Sequence, residues 1–396
     1  MNSNHHGILI VGGGTAGITV AARLRRAARS LDISIVEPSA KHYYQPLWTL
    51  VGAGVVDKSM TERNEADVIP RGVSWIRAAA VSFEPVEKAV LTSDDARHTY
   101  DQLVVCPGIK LDWDAVPGLR TGIGTNGVCS NYSFETVDST WLALRDFSGG
   151  TAVFTMPQTA VKCGGAPQKI LYLAEDYIRR KGLRNNSRFL YVAPGPTIFG
   201  VDKYRYALEK IIATRGIETL FHHHLVEVRG EAREAVVQDV TTKERRTIPF
   251  DLLHVTPPMC APDFIRLSPL ADKAGWVEVD KFTLQHTRFP NIFALGDASS
   301  LPTGRTGAAI RKQAPILVKN LLSHRAGLPP SARYNGYTSC PIITRRGRML
   351  LAEFDYDGNP CETFPFNQAK ERYSMWILKR YILPQLYWYG MLKGLA

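Results

Sequence analysis

Two cysteines have surroundings that favour chemistry. Cys163 lies in "VKCGGAPQKI", between a short apolar run and a glycine-proline turn, and Cys340 lies in "GYTSCPIIT", 177 residues further along the chain. No C-x-x-C pair occurs, which excludes the dithiol of thioredoxin-like proteins. A redox pair would have to be assembled from distant positions, and a lone buried cysteine is more often an ordinary core residue.

The segment after Cys163 favours a reactive thiolate. Pro167 suits the first turn of a helix, and "QKILYLAEDYI" then carries apolar residues at helical spacing. The dipole of such a helix stabilises a thiolate just before its N-terminus, and Lys169 adds positive charge nearby. We therefore expect Cys163 to be a good leaving group in disulfide exchange.

The N-terminal stretch "ILIVGGGTAGITVAARLRRA" predicts a strand, a glycine turn and a helix. Gly12, Gly14 and Gly17 form G-x-G-x-x-G, which lets the backbone approach a pyrophosphate at the helix N-terminus. Glu37 ends a second strand, "ISIVEP", 20 residues after Gly17. An acid at that spacing accepts ribose hydroxyls, so these residues predict a dinucleotide site.

A late segment indicates which dinucleotide binds. "FPNIFALGDAS", residues 289–299, is an apolar strand that ends in Gly-Asp. It resembles the returning strand of FAD enzymes with two dinucleotide-binding domains, in which the aspartate contacts the ribityl chain. The resemblance implies FAD as the cofactor and Asp297 as one of its contacts.

The middle of the chain predicts a second Rossmann-like unit without a nicotinamide site. Its segment "RFLYVAPGPTIFGVDKYRYALEKII" has the strand and the helix, but Pro194 and Pro196 interrupt the turn between them. Proline lacks the backbone N–H that a phosphate would use. We expect this unit to be a scaffold that does not bind NAD(P)H.

The composition is that of a globular protein with 396 residues, 45% hydrophobic and 21% charged. The predicted fold class is α/β, with two Rossmann-like domains of FAD/NAD(P) type and a short C-terminal amphipathic membrane-binding region. The predicted parts are an FAD-binding domain (1–118), a second domain carrying Cys163 (119–270), a return segment of the FAD-binding domain (271–328) and a C-terminal region carrying Cys340 (329–396).

The formal charge of +11 favours an anionic partner. No RRM, zinc-finger or helix-turn-helix signature is present, so we expect no nucleic acid and favour an anionic membrane surface. In "FHHHLVEV" the three adjacent histidines would alternate faces along a strand and could not share one ion, so no metal is expected.

The whole chain resembles the sulfide:quinone oxidoreductases, especially their mitochondrial-type branch. The similarity extends from about Gly7 to Leu392, and generic flavoproteins do not share the two cysteine contexts. The segments that carry it are "VKCGGAPQKILYLAE", "FDLLHVTPPM", "AGWVEVD", "NIFALGD", "GYTSCPIIT", "ETFPFNQAKERYSM" and "LPQLYWYGMLKG".

This resemblance implies that Cys163 and Cys340 form a redox-active disulfide, or a sulfur-bridged version of it, beside FAD. Hydrosulfide would attack Cys340, leaving a persulfide there and a thiolate on Cys163. Two electrons would pass to FAD and then to ubiquinone. The persulfide sulfur would go to an acceptor such as glutathione, sulfite or sulfide.

Further site residues are expected on the same ground. Gln45, in "YQPLWTLVGAG", looks like a flavin contact, and Lys379 matches a lysine near flavin and quinone. Val81, Gly307 and Lys169 complete the expected cofactor contacts. Some branches of the family use a third cysteine in the region of Cys129, which we interpret here as an ordinary half-buried thiol.

Residues 371–396 combine Trp, Tyr, Leu and Ile with basic residues, which is typical of a segment in the plane of a bilayer interface. We expect Pro384 to split this segment into two helices. No stretch of 18 apolar residues appears. The absence of a presequence suggests a peripheral protein of the bacterial inner membrane.

Three other functions fit parts of these patterns. A type II NADH:quinone dehydrogenase would share the fold and the quinone, and a non-catalytic persulfide sensor would share the flavin and the disulfide. A soluble sulfide dehydrogenase would pass its electrons to a cytochrome. The prolines of the second turn and the placed cysteines argue against the NADH enzyme.

Overall fold

The fold is mixed α/β, as predicted, in a computed structural model that describes residues 4–396. The strands are β1 (His5–Val11), β2 (Ile33–Val36), β3 (Lys41–Tyr43), β4 (Glu62–Asn64), β5 (Ser74–Ile76), β6 (Ala80–Glu84), β7 (Ala89–Thr92), β8 (Arg97–Val105), β9 (Lys110–Leu111), β10 (Val128–Cys129), β11 (Gly150–Thr155), β12 (Ser187–Val192), β13 (Ile217–Leu220), β14 (His223–Arg229), β15 (Glu234–Asp239), β16 (Arg245–Pro249), β17 (Leu252–Val255), β18 (Met259–Cys260), β19 (Ile292–Ala294), β20 (Thr338–Arg345) and β21 (Arg348–Phe354). The helices are α1 (Thr15–Ala27), α2 (Trp48–Gly52), α3 (Glu65–Val68), α4 (Leu119–Gly122), α5 (Val137–Asp146), α6 (Ala166–Arg180), α7 (Asp202–Arg215), α8 (Asp263–Arg266), α9 (Gly307–Arg325), α10 (Tyr373–Ile377) and α11 (Leu383–Gln385).

The first sheet brings two distant turns to one edge. Its strand order is β5-β2-β1-β8-β7-β6, and β19 pairs in parallel with the end of β8. In register, Val11 pairs with Val105 and Val105 pairs with Ala294. Since β1, β8 and β19 are parallel here, the glycine turn after β1 and the Gly-Asp turn after β19 leave the sheet side by side. Gly296 lies against Ala16, because a Cβ at Gly296 would come within 3.4 Å of the Ala16 Cβ.

The second sheet is entirely parallel, in the order β10-β17-β11-β12-β13. Its inner strands β17, β11 and β12 are short, largely apolar runs that are mostly buried on both faces, as expected when helices cover a parallel sheet, whereas the edge strand β13 exposes Glu218 and Thr219. The turn that carries Cys163 leaves this sheet after β11 and leads into α6. An antiparallel sheet, β14-β15-β16, follows β13.

A C-terminal hairpin supplies the second cysteine. The strands β20 and β21 pair in an antiparallel manner, with Cys340 opposite Ala352. Helix α6 packs against β20. This packing brings the N-terminal turn of α6 to Cys340 although the two segments are far apart in the sequence.

The C-terminal segment is helical from Tyr373 to Gly390. The prediction that Pro384 divides this segment into two helices is wrong. π-type turns at Leu378–Ile382 and Leu386–Gly390 flank α11, and the residues on both sides of Pro384 have right-handed helical backbone angles. A π turn changes the hydrogen-bond register, so the missing proline N–H leaves no break in the helix. No helix within residues 4–396 is long and apolar enough to span a membrane.

The domain boundaries stay a prediction. Gly118 lies just before α4, Leu270 follows α8 and Leu328 follows α9. Each predicted boundary therefore falls between two elements of the structure.

A buried carboxylate fixes the end of α6 that lies away from Cys163. The Glu175 side chain is 1% exposed and pairs with Arg179, with Arg184 at 3.1 Å and with Arg215 at 3.6 Å. Removing it would leave Arg179 and Arg184 without a counter-charge, and Arg215 with Glu371 alone, at 3.4 Å. We expect Glu175→Ala to lower the free energy of unfolding by about 3–5 kcal/mol, measured by urea denaturation.

The matched control is Glu209→Ala on α7. The Glu209 carboxylate is 43% exposed and pairs with Arg205 at 2.9 Å, so its removal should barely change stability. Equal destabilisation by the two substitutions would contradict a special role for the buried network.

Candidate active site

The Cys163 turn is held in a strained conformation. Cys163 has φ +55°, a left-handed angle that is uncommon for a residue with a side chain. Its amide N–H donates to the Arg305 carbonyl at 2.8 Å, and its own carbonyl accepts from the Ala166 N–H at 2.7 Å. These two bonds fix the thiol in front of the first turn of α6.

The surroundings of Cys163 favour its thiolate. The Nζ of Lys169 lies 3.0 Å from the Cys163 Sγ. Cys340 is next to it across Gly165, where an added Cβ would lie 3.7 Å from the Cys340 Sγ. The Cys340 thiol and then the Lys169 ammonium hold the pKa of Cys163 well below its ordinary value. A direct contact therefore accounts for the expected stabilisation of the Cys163 thiolate by Lys169.

The thiol of Cys340 favours its protonated form. Cys340 is 5% exposed, and its interaction with Cys163 together with its burial raises its pKa well above the ordinary value. Both cysteines are free thiols in this structure. The pair is thus asymmetric, with the negative charge favoured on Cys163 and the proton on Cys340.

Two further lysines approach the cysteines. Lys379 is 2% exposed and donates to the Pro46 carbonyl at 2.9 Å, and burial and the nearby Lys169 lower its pKa to about 7. Lys162 donates to the Gln45 Oε1 at 2.8 Å, and burial lowers its pKa to about 8. The loop at Gln45 and Pro46 therefore touches two amines that are partly neutral near neutral pH.

The Gly-Asp turn joins the same group. Arg305 donates from its Nε to the Asp297 carbonyl at 2.9 Å, while its own carbonyl accepts from Cys163. Burial raises the pKa of Asp297, and the positive charges of Arg305 and Lys162 oppose that rise. The structure thus brings Cys163, Cys340, Gln45, Asp297 and the two predicted lysines, Lys169 and Lys379, together.

The glycine turn has the tight and the open positions that a dinucleotide requires. A Cβ at Gly17 would lie 1.9 Å from the Gly12 carbonyl oxygen, whereas a Cβ at Gly14 would meet no atom within 4 Å. Glu37 accepts from the Gly13 N–H at 2.7 Å and from the Ser39 N–H at 2.8 Å. Gly17 therefore serves the helix packing, and Gly14 faces free space at the N-terminus of α1.

Other open glycines lie around the same region. A Cβ would meet no atom within 4 Å at Gly108, after β8, at Gly164, beside Cys163, or at Gly307, the first residue of α9. Open space beside the backbone N–H groups of such turns can accommodate an extended ligand that carries phosphates. The residues present are therefore compatible with FAD lying from the glycine turn to the cysteines.

A buried polar network beside the glycine turn was missed by sequence reasoning. The Tyr387 hydroxyl bonds to Thr15 Oγ1 at 2.8 Å and to His42 Nε2 at 2.6 Å, and His42 Nδ1 bonds to Glu65 Oε2 at 3.1 Å. Glu65 is 1% exposed, and its Oε1 has no hydrogen-bond partner. No local motif links these residues, because they come from four separate segments.

Lys162 and Arg305 were also missed, although Lys162 had a signal in the sequence. It directly precedes Cys163, and a cation beside a candidate reactive cysteine could have been singled out. Arg305 gave no such signal, since its role depends on the loop before α9 folding back to the Cys163 turn.

Val81 lies in β6 with its side chain 52% exposed, and its expected contact with the cofactor stays a prediction. One expectation differs from the structure. Cys129 is fully buried and not half-buried, because it lies in β10 beneath α5. Burial raises the pKa of its thiol to about 12.

The second Rossmann-like unit has an atypical turn before its helix. Helix α7 begins at Asp202, and the segment from Pro194 to Val201 separates it from β12. Asp202 is in the first turn and bonds to Arg205 at 3.0 Å. Among residues 4–396, no group of three or more His, Cys, Asp or Glu side chains is arranged to hold a metal ion.

Comparisons with known proteins agree in family and fold. The family described as "Pyridine nucleotide-disulphide oxidoreductase" matches residues 6–141. A Dictyostelium discoideum protein named "Sulfide:quinone oxidoreductase, mitochondrial" is 48% identical over 98% of this chain and 86% of its own. The mouse protein of the same name is 46% identical over 99% and 87%.

A solved structure has the same fold. The crystal structure of the sulfide:quinone oxidoreductase from Aquifex aeolicus superposes with a TM-score of 0.84 at 17% identity, covering 100% of this chain and 93% of that one. The expected bacterial inner membrane is not supported, because both closely related sequences are named as mitochondrial proteins.

The open space at Gly14 leads to a prediction on cofactor binding. Gly14→Ala should leave the fold intact, since its Cβ meets nothing, yet weaken FAD binding about tenfold or more because the methyl group fills space that the pyrophosphate needs. Flavin fluorescence titration of FAD-free protein measures the affinity, and thermal unfolding checks the fold. Gly230→Ala, also in open space, is the control. Equal FAD affinity in all three proteins would contradict a cofactor at this turn.

The Lys169 contact leads to a prediction on thiol acidity. Lys169→Met should raise the pKa of Cys163 by about 1–2 units, because the thiolate loses an adjacent cation. The pH dependence of iodoacetamide alkylation at Cys163 in the reduced enzyme measures this shift. Lys181→Met removes a lysine that follows α6 and should change nothing. If the two variants gave the same profile as wild type, Cys340 alone would control the acidity.

Proposed function

This chain belongs to the sulfide:quinone oxidoreductase family, FAD-dependent enzymes that oxidise sulfide with a quinone, and we propose from this premise that Cys163 and Cys340 form its reactive disulfide. Hydrosulfide attacks Cys340, and Cys163 is the leaving thiolate. The sulfur removed from the substrate leaves on a small acceptor such as glutathione, sulfite or a second sulfide.

The asymmetry of the two thiols carries this proposal. Lys169 lies 3.0 Å from the Cys163 Sγ, and the pKa of Cys163 is lowered by Cys340 and Lys169 while that of Cys340 is raised. In disulfide exchange the sulfur of lower pKa leaves more readily. The nucleophile is therefore directed to Cys340, which then holds the new sulfur atom.

The hydrosulfide sulfur bonds to the Cys340 Sγ, the Cys163–Cys340 bond breaks, and its electron pair stays on Cys163. Transfer of the outer persulfide sulfur to the acceptor leaves a thiolate on Cys340. Re-forming the disulfide releases two electrons, and reduction of the quinone to the quinol consumes two electrons and two protons.

Bound FAD supplies a two-electron acceptor between the dithiol and the quinone. The residues proposed to hold it are Glu37 and the glycine turn at the adenosine and pyrophosphate end, and Asp297, Gln45 and Gly307 towards the flavin. Lys379, with a pKa of about 7, can hold or release a proton at neutral pH. It is the proposed proton carrier on the quinone side.

The turn between β12 and α7 in the second Rossmann-like unit supports sulfide, in preference to NAD(P)H, as the electron donor. Pro194 and Pro196 cannot donate backbone N–H groups to a phosphate, and the Asp202 carboxylate in the first turn of α7 would repel one. The alternative is an NADH:quinone dehydrogenase, and it requires a phosphate site at this position.

The C-terminal segment supports attachment to a membrane surface without a crossing helix. Its exposed apolar side chains are Tyr373, Tyr381, Ile382, Tyr389 and Leu395, each more than half exposed. Tyrosine and aliphatic side chains of this kind favour the interface of a bilayer. A quinone dissolved in the lipid would enter from this side, close to Lys379.

A single-turnover experiment tests the proposed roles. One equivalent of sulfide is added to the oxidised enzyme without oxygen, and flavin absorbance and peptide masses are recorded before and after sulfite is added as the acceptor. Before sulfite we expect one sulfur atom to be added at Cys340; after it we expect that sulfur to be lost, the flavin to bleach, and a short-chain ubiquinone to restore its absorbance. Cys163→Ser and Cys340→Ser should each lower the rate of bleaching by about 10³-fold or more, because neither can form the disulfide.

Cys129→Ser is the matched control and should react as wild type does. Bleaching by NADH with no response to sulfide would reject the proposal in favour of the NADH enzyme. FAD binding with a disulfide that exchanges, but with no electron transfer to quinone, would indicate a persulfide sensor. Extra sulfur found at Cys163 in place of Cys340 would reverse the assigned direction of attack.

A further inference from the structure

A surface cavity remote from the cysteines has an unusual lining. It has a volume of about 720 Å³ and lies between the end of α1, the segment after α3 and the C-terminal turn. This is within the size range of ligand sites. The charged side chains that line it are Arg25, Arg26, Arg29, Asp67, Arg71 and Lys393.

The positive charges of this basic cavity are not neutralised. Within residues 4–396, none of its four arginines and its one lysine forms an ion pair, and its acid, Asp67, accepts a hydrogen bond from Asn64 at 3.1 Å. Arg25 is fixed in place, because its Nη1 donates to the carbonyls of Arg29 at 2.5 Å and Leu31 at 2.9 Å. An excess of four positive charges around one cavity favours a polyvalent anion.

The cavity is continuous with the segment proposed to attach to the membrane. Leu392 and Lys393 form part of its wall, and Leu395, two residues on, is 61% exposed. The C-terminal turn lies directly on α1, since a Cβ at Gly394 would come within 3.0 Å of the Ala22 carbonyl carbon. An anion bound in the cavity would therefore lie near the exposed side chain of Leu395.

We propose that the basic cavity binds the phosphodiester headgroup of an anionic phospholipid. Arginine recognises phosphate oxygens with paired N–H donors, and Leu395 offers an apolar surface beside the headgroup where acyl chains begin. Inorganic phosphate carries a negative charge as the headgroup does, but it has no acyl chains. The apolar surface beside the cavity therefore favours the lipid. This inference rests on the proposed membrane attachment and gives that attachment a specific lipid partner.

Vesicle binding tests the proposal with the complete, FAD-loaded enzyme. Wild type and a triple variant, Arg26→Gln with Arg29→Gln and Arg71→Gln, are floated with vesicles of phosphatidylcholine, alone or mixed with phosphatidylglycerol. Near a membrane each cation contributes roughly 1 kcal/mol, so the triple variant should bind the mixed vesicles about 10²-fold more weakly. Binding to pure phosphatidylcholine should not change, because the aromatic residues of the C-terminal segment remain.

A charge-matched variant distinguishes specific binding at the basic cavity from attraction by the overall charge of the protein. Arg245→Gln, Arg246→Gln and Lys273→Gln remove three exposed cations that make no ion pair and lie away from the cavity. This control should lose much less affinity than the triple variant. Equal losses in the two variants would overturn the proposal, since net charge alone would explain them.

Two further measurements distinguish the other outcomes. If inorganic phosphate at moderate concentration displaced the wild type from mixed vesicles and protected it from heat, the cavity would be a free-phosphate site and the lipid proposal would be wrong. Sulfide oxidation with a water-soluble quinone should be equal in wild type and triple variant. Absence of that activity in the wild type would reject the proposed function, and failure of the wild type to bind any vesicle would reject the membrane attachment and with it the lipid site.

Discussion

The contact between the Lys169 ammonium and the Cys163 thiol is the interaction on which the proposed chemistry depends. At 3.0 Å in a buried site, an ammonium stabilises a thiolate far more than it would in water. The two cysteines have opposite tendencies, because their mutual interaction and then Lys169 lower the pKa of Cys163, whereas that interaction and burial raise the pKa of Cys340. A symmetrical pair of cysteines would give a disulfide with no preferred direction of attack. The proposed direction of attack rests on the interaction between the two thiols and on the Lys169 contact.

The rest of the architecture holds that contact in place. Helix α6 presents Cys163 and Lys169 from its N-terminal end, packs against the strand that carries Cys340, and is anchored at its other end by the buried Glu175. The turn before the helix is tied to Arg305, and Arg305 is tied to Asp297 in the dinucleotide-binding part. The cysteine pair and the cofactor turn are therefore connected by hydrogen bonds and not only by a common core.

The C-terminal segment has two faces with different roles. Its outer face exposes tyrosines and aliphatic residues, while its inner face buries Lys379 beside the cysteines and Tyr387 beside the glycine turn. The hydroxyl of Tyr387 reaches Thr15, a residue of the G-x-G-x-x-G turn itself. The proposed attachment to a membrane and the geometry of the cofactor site thus share one helical segment. Burial of Lys379 weakens its hold on a proton, which is a useful property where a quinone takes up protons.

The amino-acid sequence by itself determined the α/β class, the glycine turn at Gly12, Gly14 and Gly17 and the acid at Glu37. These features depend on local backbone geometry and on periodic burial, which a short window of sequence contains. The family followed from the resemblance of segments along nearly the whole chain. The sequence also singled out Cys163 and Cys340 through the residues that flank each of them. It contained no information on the distance between the two thiols. Only the tertiary structure decided that five further residues converge on the site: Lys162, Arg305, Glu65, His42 and Tyr387. It also decided that the helix continues through Pro384, that Cys129 is fully buried and that five cations surround one cavity. The reason is physical: burial, pKa shifts and charge clusters arise from segments far apart in the chain, and their distances exist only after the sheets and helices have packed.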